Sequence, residues 1–260
     1  MDKLHNPTDR VLSILKLLST NSEGFTLSEI AKEIDSPKST ILPILRTMVD
    51  QKFAQLKENS KYTLGLSSYI VGSAYSSNIA AFDFIKEQMR NIVEKTGEIC
   101  QLGILEGNNI LYIGKEEPDE EIRLVSYVGK RLPLYCTAIG KALILDADIN
   151  DIKAMYPEGL KAFTSSTITD FETLERDLKE SAKVGYARDY SEISEHVTCI
   201  GVPLKKGSKT IASISVSTPK FRFTKEKEAS IISQLIDKQT QIGQFLIKNQ
   251  ISVDDLLNYK

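Results

Sequence analysis

Lys38, Ser39 and Thr40 stand in a row after Pro37, and their side chains could bind phosphate. Proline fits the first position of a helix, because its missing N–H would have no partner there, so a helix is predicted to start here. Unpaired N–H groups and the helix dipole attract anions to that end of a helix. Lys38 is therefore interpreted as a phosphate contact, and Ser39 and Thr40 as hydroxyl donors to a phosphate or a base edge.

The elements around these residues decide whether they are contacts or ordinary solvated side chains. Apolar periodicity predicts three short helices in the first 50 residues, the first with an N-cap at Thr8 and the second opened by a capping box at 26–29. The third helix is predicted over 37–50, and its inner face consists of Ile41, Ile44, Leu45 and Met48. That face leaves Lys38, Ser39 and Arg46 pointing outward.

Two short strands are predicted after the third helix, at 53–56 and 62–64, with Lys57 and Lys61 at the edges of the turn between them. Three helices and a β-hairpin, with the second and third helices close together, are the layout of a winged helix-turn-helix. A generic small helical core would explain the apolar stripes equally well. The conjunction of features favours DNA binding, and the candidate DNA contacts are Ser28, Lys38, Ser39, Thr40, Arg46, Lys57 and Lys61.

The rest of the chain alternates helices with strands that are joined as hairpins. Helices are predicted at 81–96, 138–146, 171–184 and 225–249, and strands at 99–105, 110–115, 122–127, 186–189, 198–204 and 210–217. This order predicts an α+β domain in which a largely antiparallel sheet is covered by helices. A further helix, 66–77, would connect the two parts.

Several classes of protein are excluded by composition. The chain of 260 residues has no apolar run long enough to cross a membrane. Its three cysteines are isolated, which fits reduced thiols in the cytosol, and two histidines are too few for a multi-histidine metal centre. A net charge of -2 would argue against nucleic-acid binding, but residues 1–75 are close to neutral. This predicts a modest electrostatic attraction to DNA that is strengthened by oligomerisation.

A second set of residues could bind a small carboxylate. Ser215 and Ser217 lie two apart on a predicted strand, so both side chains point to one face. Ala138, Ile139 and Gly140 open a helix and could offer backbone N–H groups to an anion. Serines on a strand can equally face solvent, and periodicity alone does not decide.

Motifs along the whole chain resemble the isocitrate-lyase-regulator-type (IclR-type) transcriptional regulators. The longest is GKRLPLYCTAIGKA at 129–142, and the others are LSEIA at 27–31, PKST at 37–40, KYTLG at 61–65, GYARD at 185–189, CIGVP at 199–203 and SVSTP at 215–219. Each motif alone is weak, but together they occur in the family's order and spacing. Pro43 departs from the pattern, because the family commonly carries a basic residue there; a proline inside a helix costs about 3 kcal/mol unless the geometry adapts, so a kink is expected.

The resemblance implies a winged helix-turn-helix domain at 1–65, a linker helix at 66–79 and a GAF-like effector-binding and oligomerisation domain at 80–260. Such a protein binds double-stranded operator DNA as a dimer or a dimer of dimers, more often as a repressor, and responds to a small carboxylate or a related metabolite. The resemblance places the effector-binding residues at Ala138, Ile139, Asp189, Cys199, Ser215 and Ser217. Lys141 would form a salt bridge or help to place the anion, and His196 would be a surface-loop residue.

Two other classes of function stay open. An enzyme could use Cys199 or Lys141, but no His/Asp partner pattern or phosphate loop accompanies them, and the N-terminal seventy residues would have no role. A GAF-like sensor could instead act through protein partners, with the helical head as an interaction module. No catalytic residue, metal or cofactor is predicted, and the cytoplasm is the expected location.

Overall fold

The structure, a computed structural model, describes residues 6–76, 80–119 and 126–249. Contacts divide the chain into two compact units, Met1–Asn78 and Ile79–Lys260. Each unit has its own hydrophobic core and is described by itself.

The first unit is a helical head with a small sheet. Its elements are α1 (Asn6–Leu18), β1 (Phe25–Thr26), α2 (Leu27–Glu33), α3 (Lys38–Asp50), β2 (Ala54–Leu56), β3 (Lys61–Leu64) and α4 (Leu66–Ser76). The strands form an antiparallel sheet in the order β1-β3-β2. The predicted hairpin is therefore present, and the two-residue strand β1 joins it.

The start of α2 is the predicted capping box. The backbone N–H of Thr26 donates to Glu29 Oε2 at 2.7 Å, and the N–H of Glu29 donates to Thr26 Oγ1 at 3.3 Å. The Thr26 N–H holds the pKa of the Glu29 carboxyl below its usual value. The N-cap predicted at Thr8 is wrong, because α1 already begins at Asn6 and contains Thr8.

The core of the head is formed by α1, α2 and α3. Ile14, Ile30, Ile41 and Leu45 are all fully buried in it, which confirms the inner face predicted for α3. The helix α3 continues from Lys38 to Asp50 through the exposed Pro43.

The second unit is a six-stranded antiparallel sheet covered by helices. Its elements are α5 (Ala80–Thr96), β4 (Ile99–Glu106), β5 (Asn109–Glu116), β6 (Arg131–Pro133), α6 (Ala138–Leu143), α7 (Ile149–Met155), α8 (Phe171–Val184), β7 (Ala187–Tyr190), β8 (Val197–Lys206), β9 (Lys209–Pro219) and α9 (Lys225–Lys248). The strand order is β6-β5-β4-β9-β8-β7.

Two apolar clusters fill this unit. One joins α5 and α9 to the sheet and includes Met89 and Leu235, and the other joins α6, α7 and α8 and includes Ile139 and Leu174. The predicted α+β class is confirmed. Among the residues described, no helix is both long enough and apolar enough to cross a membrane.

Three predictions for this unit differ from the structure. The strand predicted at 122–127 falls mostly outside the described residues, and residues 126 and 127, which are described, are not in a strand. The strand that pairs with β5 at this edge of the sheet is β6. The helix predicted to reach residue 146 ends at Leu143. The helix α7 (Ile149–Met155) was not predicted.

Candidate functional site

A cavity of about 400 Å³ lies in the second unit, between the sheet and the first turn of α6. All six residues that the sequence predicted for the effector site line it: Ala138, Ile139, Asp189, Cys199, Ser215 and Ser217. The structure therefore brings together residues from α6, β7, β8 and β9.

Strand register explains how three of these side chains meet. Asp189 on β7 is paired with Cys199 on β8, which is paired with Ser217 on β9. Directly opposite residues on adjacent strands share a face of the sheet, so all three project to the same side. Ser217 also donates a hydrogen bond from Oγ to Gln101 Oε1 at 3.0 Å.

The first turn of α6 approaches the sheet closely at Gly201. A Cβ atom at Gly201 would lie 2.7 Å from the carbonyl oxygen of Ala138, so only glycine fits at this point of β8. Thr137 caps the helix and accepts the N–H of Gly140 at 3.1 Å. The expectation that Gly140 offers its N–H to a ligand is therefore wrong. The N–H groups of Ala138 and Ile139 have no acceptor within the helix, since they belong to its first turn.

Asp189 is the most unusual group in the cavity wall, because it is a carboxyl group that is 1% exposed. Its Oδ1 atom accepts the backbone N–H of Glu192 at 2.6 Å. Burial raises the pKa of Asp189 to about 7, although that N–H and the Lys141 ammonium act in the opposite direction. Burial also raises the pKa of the Cys199 thiol, so Cys199 presents an S–H group rather than a thiolate.

Lys141 forms a buried ion cluster beside Asp189. Its Nζ atom is fully buried and lies 2.6 Å from Glu192 Oε1 and 2.9 Å from Asp177 Oδ2. The same Nζ atom also donates a hydrogen bond to the carbonyl of Arg188 at 3.3 Å. Burial opposes the charge, but the Glu192 and Asp177 carboxylates raise the pKa of Lys141 above its usual value. Of the two roles considered for Lys141, the salt bridge is the one observed.

The residue before Asp189 faces the other side of the sheet. Arg188 Nε donates to Glu228 Oε1 on α9 at 2.9 Å, and Arg188 Nη2 donates to the Tyr186 hydroxyl at 2.8 Å. The strand β7 therefore contacts the cavity through one residue and α9 through its neighbour.

Further polar residues line the cavity and were not predicted as effector contacts, among them Gln101, Tyr112, Lys130 and His196. Gln101 is paired with Ser215 across β4 and β9, so a correct register would have revealed it. His196 is exposed, as expected of a loop residue, yet it also borders the cavity.

The candidate DNA contacts lie on the surface of the head. Lys38 and Ser39 are exposed at the start of α3, and Arg46 is exposed two turns later. Ser28 on α2 and Lys57 in the hairpin turn are also exposed. Two candidates, Thr40 and Lys61, are half-buried, and Lys61 is close enough to Glu29 to lower the pKa of its carboxyl.

A helix-turn-helix head and a second unit with a cavity that joins an apolar wall to a few polar groups define a DNA-binding regulator that responds to a small molecule. Comparison with known families supports this class. Residues 7–57 match the IclR helix-turn-helix domain, and residues 73–244 match the bacterial transcriptional regulator IclR C-terminal domain. The chain belongs to the IclR family of transcriptional regulators.

Relatives carry the same architecture over most of their length. The chain is 32% identical over 238 residues to the HTH-type transcriptional regulator BhcR of Paracoccus denitrificans, covering 90% of this chain and 85% of that protein. It is 29% identical over 225 residues to the HTH-type transcriptional repressor AllR of Klebsiella pneumoniae, covering 85% and 83%.

A solved structure extends the likeness to the fold. An IclR homologue from Microbacterium hydrocarbonoxydans, complexed with 4-hydroxybenzoate, superimposes with a TM-score of 0.74 at 22% identity, covering 91% of this chain and 98% of that one. The predicted regulator class is confirmed, and the alternative of an enzyme is not supported, because the relatives are named as regulators.

Proposed function

We propose that the protein is a cytoplasmic repressor that binds double-stranded operator DNA as a homo-oligomer and is released by a small organic acid. The observation that carries the proposal is the convergence of backbone N–H groups and hydroxyl groups on one cavity of the second unit. A repressor is favoured because AllR, a relative over most of the chain, is named as one.

The cavity suits a carboxylate with an apolar body. Its donors are the N–H groups of Ala138 and Ile139 and the hydroxyl of Ser215, with the Ser217 hydroxyl, the Cys199 thiol and Asp189 beside them. Its apolar wall includes Leu132, Ile193 and Val197. A few convergent polar groups within a mostly apolar wall are typical of small-molecule sites. This arrangement supports an organic acid as the effector and the six predicted residues as its ligands.

The operator contacts are proposed on one surface of the head. Lys38 and Ser39 lie where the N-terminal end of α3 attracts phosphate, and Arg46 continues along the same helix. Ser28, Thr40, Lys57 and Lys61 complete the proposed contacts. Because the residue at 43 is proline, this part of α3 contacts bases through apolar surface rather than through a basic side chain.

In addition to the oligomerisation role of residues 80–260, we assign dimer formation to an apolar surface of the first unit. Leu66, Tyr69, Ile70 and Val71 on α4 are all more than half exposed. An apolar groove of about 400 Å³ between α1 and α3 is bordered by Val11, Leu15, Ile44 and Phe53. Contiguous exposed apolar surface marks interaction sites, and a second copy of the chain would supply the same helix in return.

We retain the division into a DNA-binding domain at 1–65, a linker helix at 66–79 and an effector and oligomerisation domain at 80–260. The alternative is a sensor that acts through a protein partner at the exposed face of α4. That alternative requires no affinity of the head for DNA.

A gel-shift assay with DNA from the promoter next to its own gene separates the two. The proposal expects sequence-specific binding that weakens with salt, and release of the DNA by at least one acid of a small carboxylate panel. Binding that is equal for unrelated DNA, or absent, favours the protein-partner alternative.

A further inference from the structure

Among the residues described, the buried ion cluster beside the cavity contains more carboxyl groups than ammonium groups. Asp189, Glu192 and Asp177 are carboxylic acids, and Lys141 is the one ammonium that contacts them among the residues described. Asp189 is 1% exposed and Glu192 is 5% exposed, so water screens neither charge well. Two negative charges in excess would be very costly in such surroundings.

Within the part of the chain that the structure describes, Asp189 is the carboxyl group of this cluster that has no ion pair. The Lys141 ammonium donates to Glu192 Oε1 and to the carbonyl of Arg188, and it forms an ion pair with Asp177. Asp189 receives the backbone N–H of Glu192 on Oδ1. Among the described residues, none makes a hydrogen bond of ordinary geometry to its Oδ2 atom, and the neighbouring Cys199 thiol donates its hydrogen to Ser217.

The groups that face Asp189 come from every neighbouring element. They are Glu192 after β7, Lys141 on α6, Asp177 on α8, Cys136 before α6, Tyr112 on β5 and Cys199 on β8. Burial raises the pKa of the Tyr112 hydroxyl and of both thiols, so these three groups are neutral. Lys130 and His196 line the same cavity.

We propose, on the basis of the proposed function, that Asp189 is protonated when the effector is bound and donates its hydrogen to a carboxylate oxygen of the effector. The cavity then binds an anion together with one proton. An ionised Asp189 would repel the same anion across a poorly solvated cavity, whereas the neutral group adds a donor to that of Ser215. When Asp189 is ionised in the empty site, binding of the effector takes up one proton from solvent. The affinity for the effector therefore falls as the pH rises above neutral.

Carbon-13 NMR on protein labelled at the aspartate carboxyl carbons tests the protonation without effector or DNA. The signal missing in Asp189→Asn belongs to Asp189, and its midpoint is expected near pH 7. In Glu192→Gln the midpoint should fall, because a neighbouring negative charge is removed. This variant also identifies the signal, as the one that moves, if Asp189→Asn does not fold. A midpoint near the usual value of about 4 would overturn the proposal.

Calorimetry tests the proton in the complex. Pyruvate and benzoate serve as probe anions at pH 8, in two buffers that differ in ionisation enthalpy. We expect uptake of close to one proton for each anion bound by the wild type, and binding without uptake by Asp189→Asn, whose amide N–H replaces the acid O–H. Binding of either anion without proton uptake by the wild type contradicts the proposal. If neither anion binds, that result bears on the proposed effector class, and the NMR midpoint still decides the state of Asp189.

Discussion

The Sγ atom of Cys199 lies 3.2 Å from the Oγ atom of Ser217, across the β8–β9 pair. Ser217 gives its own hydrogen to Gln101, so the thiol is the donor in the contact between the two. This row of bonds fixes Cys199, Ser217 and Gln101 in one orientation on the cavity wall. Ser215, which is paired with Gln101 in the sheet, is the neighbouring hydroxyl on the same face.

Ser215→Ala is expected to weaken effector binding. A hydrogen bond to a charged group contributes about 1.5–3 kcal/mol, so the loss corresponds to roughly ten- to a hundredfold in affinity. A thermal-shift titration with a panel of small carboxylates measures it. Thr218→Val is the matched control, because Thr218 is buried on the same strand but faces away from Ser215. Equal responses of wild type and Ser215→Ala would remove Ser215 from the site.

Lys38→Ala is expected to weaken binding to operator DNA and to unrelated DNA by about the same factor. A lysine that contacts phosphate displaces a counterion, so its removal should lower the slope of log affinity against log salt by about 1. Gel shifts at several salt concentrations measure this slope. Lys16→Ala, which removes an exposed lysine from α1, should leave it unchanged. If both variants behave alike, Lys38 is an ordinary surface residue.

Gly201→Ala is expected to destabilise the second unit. The new Cβ atom would meet the backbone of Ala138 at 2.7 Å, and α6 would have to move away from the sheet. Overpacking of this kind costs about 1–3 kcal/mol. Gly72→Ala is the control, because nothing lies within 4 Å of its new methyl group in α4. That change should stabilise the helix by up to about 1 kcal/mol in urea unfolding.

Tyr69→Glu together with Ile70→Glu is expected to lower the oligomeric state. Both side chains are exposed on α4, by 72% and 56%, so the charges cost little in a single chain but much in a buried interface. Sedimentation velocity of the variant and the wild type distinguishes the states. Leu105→Glu, an exposed apolar residue of β4, is the control. An oligomer that survives the double change forms through another surface.

Asp189→Asn is expected to change the pH dependence of stability. The folded-state pKa of Asp189, about 7, exceeds its ordinary value of 3.8, so the folded chain holds the proton more tightly than the unfolded chain. Between these values the free energy of unfolding falls as the pH rises, by up to about 1.4 kcal/mol per unit. The wild type should show this slope relative to Asp189→Asn, and the two should run parallel above pH 8. Urea unfolding across this range measures it, and parallel curves throughout would contradict the buried, protonated state.

Local sequence signals predicted the elements whose stabilising contacts lie close together in the sequence. The capping box of Thr26 and Glu29 marks the start of α2 because both partners lie within four residues. Ser215 and Ser217 share a face because a strand alternates. The two-residue strand β1 could not be predicted, since it exists only through pairing with β3.

Long-range contacts set the rest of the site. Lys141 meets Asp177 and Glu192 after separations that no local pattern encodes. Lys141 itself stood in a recognisable motif, but its partners are ordinary acidic residues in sequence. Gln101 joins the cavity only because β4 lies between β5 and β9. The six proposed effector residues were predicted through a resemblance to a family, whereas the ion cluster beside Asp189 could be recognised only in the structure.

Arg188 and Asp189 give β7 specific contacts on both faces of the sheet. One residue is held in the cavity wall, and the next is tied to Glu228 in the first turn of α9. Because the two share a peptide bond, a displacement of Asp189 is expected to move Arg188 and, through Glu228, the start of α9. A displacement on the cavity face can thus reach the opposite face of the sheet while the pairing of the strands is kept.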